Sequence, residues 1–398
     1  MSYNDKDDDD DEPIYESGDQ DYLSAAGWDP LAERRAKAEE LYRQWADIPE
    51  RNLLHPRQMN EWMKSALWDG SPANFFGPFW LEYELCILYG GTGLGKSALA
   101  TQIAESLARG IAIPPFDDGK PSPPKRVLYC DFELTREQLI MRYSADGPEG
   151  NLIHPYSFSE DIERTELAWN GRVPEGFDSF SEALFADIEN VIEEKQIEVL
   201  IVDNITYLDS SSTANADTAR SIMQRLNDLK RSRFISILVL AHTPKRRSPH
   251  LPITEADIQG SVNLSNFADS MFAINASAHE PDLRYLKQIK TRSLKKKFSE
   301  AHVPVFRFEK FDHAASTSLA ANTTRPAIDN FLGLRFLETV EEDALLDDHP
   351  NAKRDGSGRR TIAAEIKRLS KEGVSVRRIA ERLGVPKSTV QRQTSNAR

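Results

Sequence analysis

Eight consecutive residues, Gly90, Gly91, Thr92, Gly93, Leu94, Gly95, Lys96 and Ser97, satisfy the pattern G-x-x-x-x-G-K-[ST] at every fixed position. Glycines there let the backbone curl so that successive N–H groups converge on phosphate oxygens. The apolar run Leu85 to Tyr89 precedes the loop, and a helical pattern carrying Leu99, Ile103 and Leu107 follows it. The loop therefore joins a strand to a helix N-terminus, whose dipole favours anions. In that setting Gly90 through Ala98 wrap the phosphates of ATP, Lys96 meets the β- and γ-phosphates, and the Ser97 hydroxyl ligates Mg²⁺.

Hydrolysis needs more than a phosphate cradle. The run IEVLIVDNITYL places Asp203 at the end of a buried strand, where its carboxylate completes the Mg²⁺ site with Ser97. The next residue is Asn204, where AAA+ ATPases generally carry the glutamate that activates water, so that group must come from another strand. VLYCDFELTREQL offers Glu133, with Asp131 as its rival. Either could instead cap the helix starting near Thr135, since carboxylates there favour the helix dipole. SILVLAH ends at His242, a position for sensing the γ-phosphate or for an ordinary surface histidine.

From about Trp80 to Phe308, apolar runs alternate with helical periods, the pattern of βαβ units and a mostly parallel sheet. Strands are expected at Leu85 to Tyr89, Val127 to Asp131, Val199 to Val202, Ile235 to Ala241, Ser270 to Asn275, Tyr285 to Lys290 and Val303 to Phe308, with helices at Ala98 to Ala108 and Thr218 to Arg231. The fold class read from this is α/β, with a small all-α domain at the C-terminus. Five segments follow: an acidic tail, 1–22; a helical extension, 23–74; the ATPase domain, 75–312; a tether, 313–358; and a helix-turn-helix, 359–398. Cys86 and Cys130 fall inside apolar runs and are expected in the core. With 39% hydrophobic residues, no apolar run nears the roughly 18 residues that span a bilayer. No export signal opens the chain, so a cytoplasmic protein without a membrane is expected.

The order of these motifs resembles the RecA/DnaB-like superfamily, and within it the RepA-type hexameric replicative helicase ATPases of plasmids and mobile elements. FFGPFWLEYELCILYGGTGLGKSALATQIA looks like that group's approach to its phosphate loop, and DIQGSVNLSNFADSMFAI like its Gly-Ser, Asn and Ala-Asp-Ser segment. The resemblance covers about residues 75 to 310 and implies a RecA-like sheet flanked by helices. It also implies that the strand beside the phosphate-loop strand ends with the catalytic glutamate, here Glu133, and that His242 couples the γ-phosphate to DNA-binding loops. Lys290 and Arg292 look like the Lys-x-Arg pair that DnaB-type hexamers insert into a neighbouring subunit's site, where cations offset developing phosphate charge. A solvated basic strand end is the plainer use of this region, which also holds Lys295 to Lys297.

DNA is the expected partner despite a net charge of −13. Residues 1 to 21 hold ten carboxylates against Lys6, and residues 353 to 398 hold thirteen Lys or Arg against four carboxylates. The relatives' channel loops correspond to Asp209 to Asp217 and to Thr243 to Gly260, where Lys245, Arg246 and Arg247 suit single-stranded DNA phosphates. VRRIAERLGVPKSTVQRQ resembles the helix-turn-helix of resolvases. Thr389, Gln391 and Arg392 would meet duplex bases, and Arg377, Arg378 and Lys387 its phosphates. Two functions fit. One is a homo-oligomeric motor, a hexamer by the resemblance, that translocates on or unwinds DNA in replication or mobile-element maintenance. The other is a DNA-bound ATP switch recruiting a primase, recombinase or transposase. A small-molecule kinase is disfavoured, because no acceptor-site constellation is found.

Overall fold

In this computed structural model the described residues are 36, 56, 58–64, 72–116, 122–209, 216–243, 251–258, 261–313, 328–346, 369–370 and 374–382. The chain divides into two compact units, residues 1–71 and 72–398. The first unit contributes the short helix α1 (Met59–Lys64). The expected acidic tail lies outside the described residues, as does the expected helical extension apart from residues 36, 56, 58–64 and 72–74.

The second unit opens with a small hairpin, β1 (Asn74–Phe76) and β2 (Trp80–Leu81), and then enters β3 (Leu85–Gly90), which is buried at every position. Burial throughout is what a central parallel strand requires, and the side chains of β3 sort by period two. Leu85, Ile87 and Tyr89 join one core layer, and Cys86 and Leu88 the other. Helix α2 (Lys96–Arg109) lays Leu99, Ile103 and Leu107, one turn apart, onto the second layer.

The chain continues through β4 (Val127–Asp131), α3 (Arg136–Arg142), the hairpin of β5 (Ala145–Asp146) and β6 (Leu152–Ile153), and β7 (Ile162–Thr165). Helices α4 (Phe180–Lys195) and α5 (Ala216–Arg233) cover the first layer, using Phe185, Ile188, Ile222 and Leu226, and alternate with β8 (Val199–Asp203) and β9 (Ser236–His242). After α6 (Ser261–Phe267) come β10 (Ser270–Ala276), β11 (Leu283–Thr291), β12 (Val303–Phe311) and β13 (Phe331–Val340).

Nine strands make one sheet in the order β13-β12-β11-β10-β3-β9-β8-β4-β7. From β10 to β7 every neighbour is parallel, whereas β11, β12 and β13 turn back antiparallel. The Glu133 strand therefore does not lie beside the phosphate-loop strand as the resemblance implied. β9 and β8 intervene, so residues distant along the chain meet at one edge.

A second correction concerns the expected tether. Residues 331 to 340 form the edge strand β13, with Phe331 and Leu334 buried. The alternation that should reveal it is broken by Gly333, which faces α2. A Cβ there would lie 3.0 Å from Gln102 Oε1. That approach lets Gln102 pair with the strand edge: its Nε2 donates to the Leu334 carbonyl at 3.0 Å, and its Oε1 accepts the Leu334 N–H at 2.9 Å. The exposed edge is thus satisfied by a side chain.

Both expected core cysteines are buried free thiols, and burial pushes Cys130 up to about 12. At the C-terminus, Leu369 packs with Ile379 and Ala380 of α7 (Val376–Arg382).

Gln102→Ala should strand both Leu334 backbone groups and lower stability by about 1–3 kcal/mol. Urea unfolding should show this as a lower midpoint with unchanged slope.

Candidate nucleotide site

Parallel register brings four strand ends to one edge of the sheet, where α/β proteins place their ligands. Gly90 pairs with His242 across β3 and β9, and Asp131 with Asp203 across β4 and β8. Lys96 and Ser97 open α2 just beyond the loop, on the positive end of the helix dipole.

The loop is shaped from below as well as by its glycines. Gly95 holds φ 95°, and a Cβ on it would lie 3.1 Å from the Phe308 ring. Arg284, buried at the start of β11, donates from Nε to the Leu94 carbonyl at 3.0 Å, and its guanidinium lies 5.5 Å from the Phe308 ring centre. Neither supporting residue was among the sequence candidates, because β11 and β12 lie about 200 residues beyond the loop and only the sheet order joins them.

Lys96 donates from Nζ to the carbonyls of Gly90 and Gly91, each at 3.0 Å, and lies 3.2 Å from His242 Nδ1. Burial lowers its pKa, and Asp203 and Glu133 oppose that shift. Asp203 is 1% exposed, and its Oδ2 accepts the Tyr129 hydroxyl at 3.0 Å. Burial pushes its pKa up to about 6, the Ser97 hydrogen bond opposes this, and the charges of Glu133 and Asp131 add to it. Tyr129 was missed in the sequence. Its only signal was its place two residues before Asp131, on the same face of a buried strand.

The two candidate bases have different surroundings. Asp131 is spent: Oδ1 accepts the N–H groups of Glu133 at 3.3 Å and Leu134 at 3.0 Å, and Oδ2 pairs with Arg164 at 3.0 Å. Helix α3 is capped by Thr135 with Gln138 in a capping box, so neither carboxylate caps it. The Glu133 side chain, about a third exposed, lies 3.1 Å from His242 Nε2 and accepts from Asn204 Nδ2. Its pKa is lowered, foremost by the His242 hydrogen bond, so the carboxylate is held ionised.

Among the described residues, no group of three His, Cys, Asp or Glu is placed to hold a metal alone. Mg²⁺ needs no such group here, since it binds through one or two protein oxygens together with substrate phosphates. Ser97 and Asp203 fit that donor set.

Lys290 and Arg292 lie at the opposite edge from the loop, because Thr291 pairs with Ser270, and Ser270 with Cys86 near the start of β3. There the Lys290 ammonium donates to the Ser265 carbonyl, and Arg292 to Asp269 at 3.2 Å and to the Asn266 carbonyl at 2.6 Å. They do not meet Lys96 within one chain. Lys245, Arg246, Arg247, Lys387, Thr389, Gln391 and Arg392 lie outside the described residues. Arg377 and Arg378 are exposed on α7, and among the described residues no helix is long and apolar enough to cross a membrane.

Residues 57–248 match the family described as an AAA domain, and residues 357–396 match a Homeodomain-like domain. The fold is a mostly parallel sheet flanked by helices, and the Homeodomain-like match lies at the C-terminus. A P-loop ATPase-type domain implies nucleotide binding and usually Mg²⁺. No curated protein matches the chain. Among solved structures, a KaiC-like protein from the hyperthermophilic archaeon Pyrococcus horikoshii is similar at 13% identity and a TM-score of 0.41, over 60% of this chain and 95% of that one.

The raised Asp203 pKa predicts a pH effect with a definite sign. The folded state holds this proton more tightly than the unfolded chain, so stability falls as pH rises from about 4 through about 6. Asp203→Asn should stabilise the protein without nucleotide by on the order of 1–3 kcal/mol at pH 8. Denaturant titrations should show this gain shrinking towards pH 4, and Mg²⁺-dependent nucleotide affinity should drop in the same variant.

Proposed function

We propose that this chain is a Mg²⁺-dependent, DNA-stimulated ATPase of the RecA and RepA-helicase kind, acting as a homo-oligomer that translocates on or unwinds DNA. The observation that supports it best is the convergence of Lys96, Asp203, Glu133 and His242 at one sheet edge, around a Glu133 carboxylate held ionised. In this reading Glu133 takes a proton from the water whose oxygen bonds to the γ-phosphorus. The bond from that phosphorus to the β–γ bridging oxygen breaks, and ADP leaves. Lys96 offsets charge on the transferring group. Mg²⁺ bound by Ser97 and Asp203 would neutralise the β- and γ-phosphate oxygens.

Arg292, with Lys290, would complete the site of an adjacent subunit. Half of its side chain is exposed, at the sheet edge away from its own loop. Lys245, Arg246 and Arg247 would contact single-stranded DNA, and the helix-turn-helix would hold duplex through Arg377, Arg378, Lys387, Thr389, Gln391 and Arg392. The Homeodomain-like match favours keeping a second reading, a DNA-bound ATP switch that recruits a replication, recombination or transposition partner.

Glu133→Gln should cut ATP turnover about 10²- to 10⁴-fold while nucleotide still binds. Arg292→Ala should abolish turnover yet be rescued by mixing with Glu133→Gln subunits, because each supplies what the other lacks. Strand displacement lost together with turnover supports the motor. Turnover without displacement, with site-specific duplex binding kept, supports the switch. Glu133→Gln turning over at the wild-type rate would overturn the mechanism.

A further inference from the structure

Asn204 does more than its position in the chain demands. It follows Asp203 at the end of β8, and its Oδ1 accepts the Thr206 N–H at 2.9 Å, together with the Thr206 hydroxyl. These bonds cap a single 3₁₀ turn, Ile205–Tyr207. They also settle which end of the amide is which. With the oxygen committed to a backbone N–H, Nδ2 must point the other way, where it donates to Glu133 Oε1 and lies 2.9 Å from His242 Nε2.

The tautomer of His242 follows from the same accounting. The Lys96 ammonium can only donate, so His242 Nδ1, 3.2 Å from it, is the accepting nitrogen. His242 Nε2 then carries the proton and gives it to Glu133 Oε1, 3.1 Å away. The Asn204 and His242 nitrogens are both donors, and both converge on that one oxygen. The carboxylate is held by one end, and its other oxygen, Oε2, is touched by neither donor.

We propose that Asn204 is a positioning residue for hydrolysis, a side-chain clamp on Glu133 Oε1 that leaves Oε2 to take the proton from water. The proposal rests on the reading of Glu133 as the group that acts on water. Its consequence is a division of labour within one amide, whose oxygen serves the fold while its nitrogen serves the reaction. Losing the nitrogen should slow the chemical step without loosening nucleotide, since the side-chain hydrogen bonds of Asn204 run to Glu133 and Thr206 rather than to the phosphate loop, Tyr129 or Ser97.

Serine and aspartate cap helical turns about as well as asparagine, so both can keep the Thr206 bond. Serine is too short to reach Glu133, and aspartate replaces the donor with a carboxylate facing another. The experiment uses full-length protein with saturating single-stranded DNA and Mg²⁺, measuring kcat, binding of a fluorescent ATP analogue, and melting temperature. In Asn204→Ser, kcat is expected to fall about 10- to 100-fold, with analogue affinity within about twofold of wild type and melting preserved. Asn204→Asp should be slower still. Adding Asn204→Ser to Glu133→Gln should slow it no further, because the clamp then has no carboxylate to aim.

A Ser variant at the wild-type rate, when Glu133→Gln is inactive, overturns the role of Asn204 alone. A Ser variant losing affinity, melting temperature and kcat together marks a cap and nothing more, which also overturns it. If Glu133→Gln turns over normally, the reading of Glu133 fails first and the clamp fails with it.

Discussion

Three carboxylates, Asp131, Glu133 and Asp203, crowd together where two adjacent parallel strands end, and burial and the charges of the other two work against ionisation of Asp203. The local structure can be understood as the partners that make this tolerable. Asp131 has the Arg164 guanidinium and two turn amides. Glu133 has the His242 ring and the Asn204 amide. Asp203 accepts from the hydroxyls of Tyr129 and Ser97, and it is the carboxylate whose pKa rises to about 6. The least compensated acid is also the one that a divalent cation would relieve. Under the proposed function, that difference in partners would divide a structural, a reactive and a metal-binding role among three similar side chains.

The antiparallel half of the sheet serves the same site from beneath. Arg284 and Phe308, from β11 and β12, support the loop at Leu94 and Gly95, and β13 is tied to α2 through Gln102. Helix α2 begins with the residues that would meet phosphate. Its position is therefore set from its N-terminus by the loop and from its flank by an edge strand more than 200 residues away.

Much of this was legible in the sequence, because local patterns carry it. The phosphate loop is eight adjacent residues, and the buried parallel strands at the centre of the sheet are largely apolar runs of five to seven. Asp203, Glu133 and His242 could be picked out as polar ends of such runs. Strand order could not, since nothing local says that two strands separate Glu133 from the loop. β13 was hidden because an edge strand needs only one apolar face, and Gly333 broke the alternation on that face. Tyr129 and Arg284 were missed, and Asn204 was read only as the absence of a glutamate, for a common reason. Each acts through a contact across the sheet or between strand ends, and residue type at the position carries no sign of the partner.

The two halves of the sheet are also joined through the segment that leads into α6. Beyond the residues that are not described, Leu251 to Ile258 is pinned at three points. The Tyr89 hydroxyl donates to the Thr254 carbonyl at 2.7 Å, Asn275 donates to the Leu251 carbonyl at 3.2 Å, and Glu342 accepts the Ile253 N–H at 3.3 Å. Glu342 is 1% exposed and also holds Lys287 and the Tyr285 hydroxyl. Tyr89 stands immediately before the phosphate loop, and Glu342 just after β13. Residues 251 to 254 are thereby tied to both halves of the sheet.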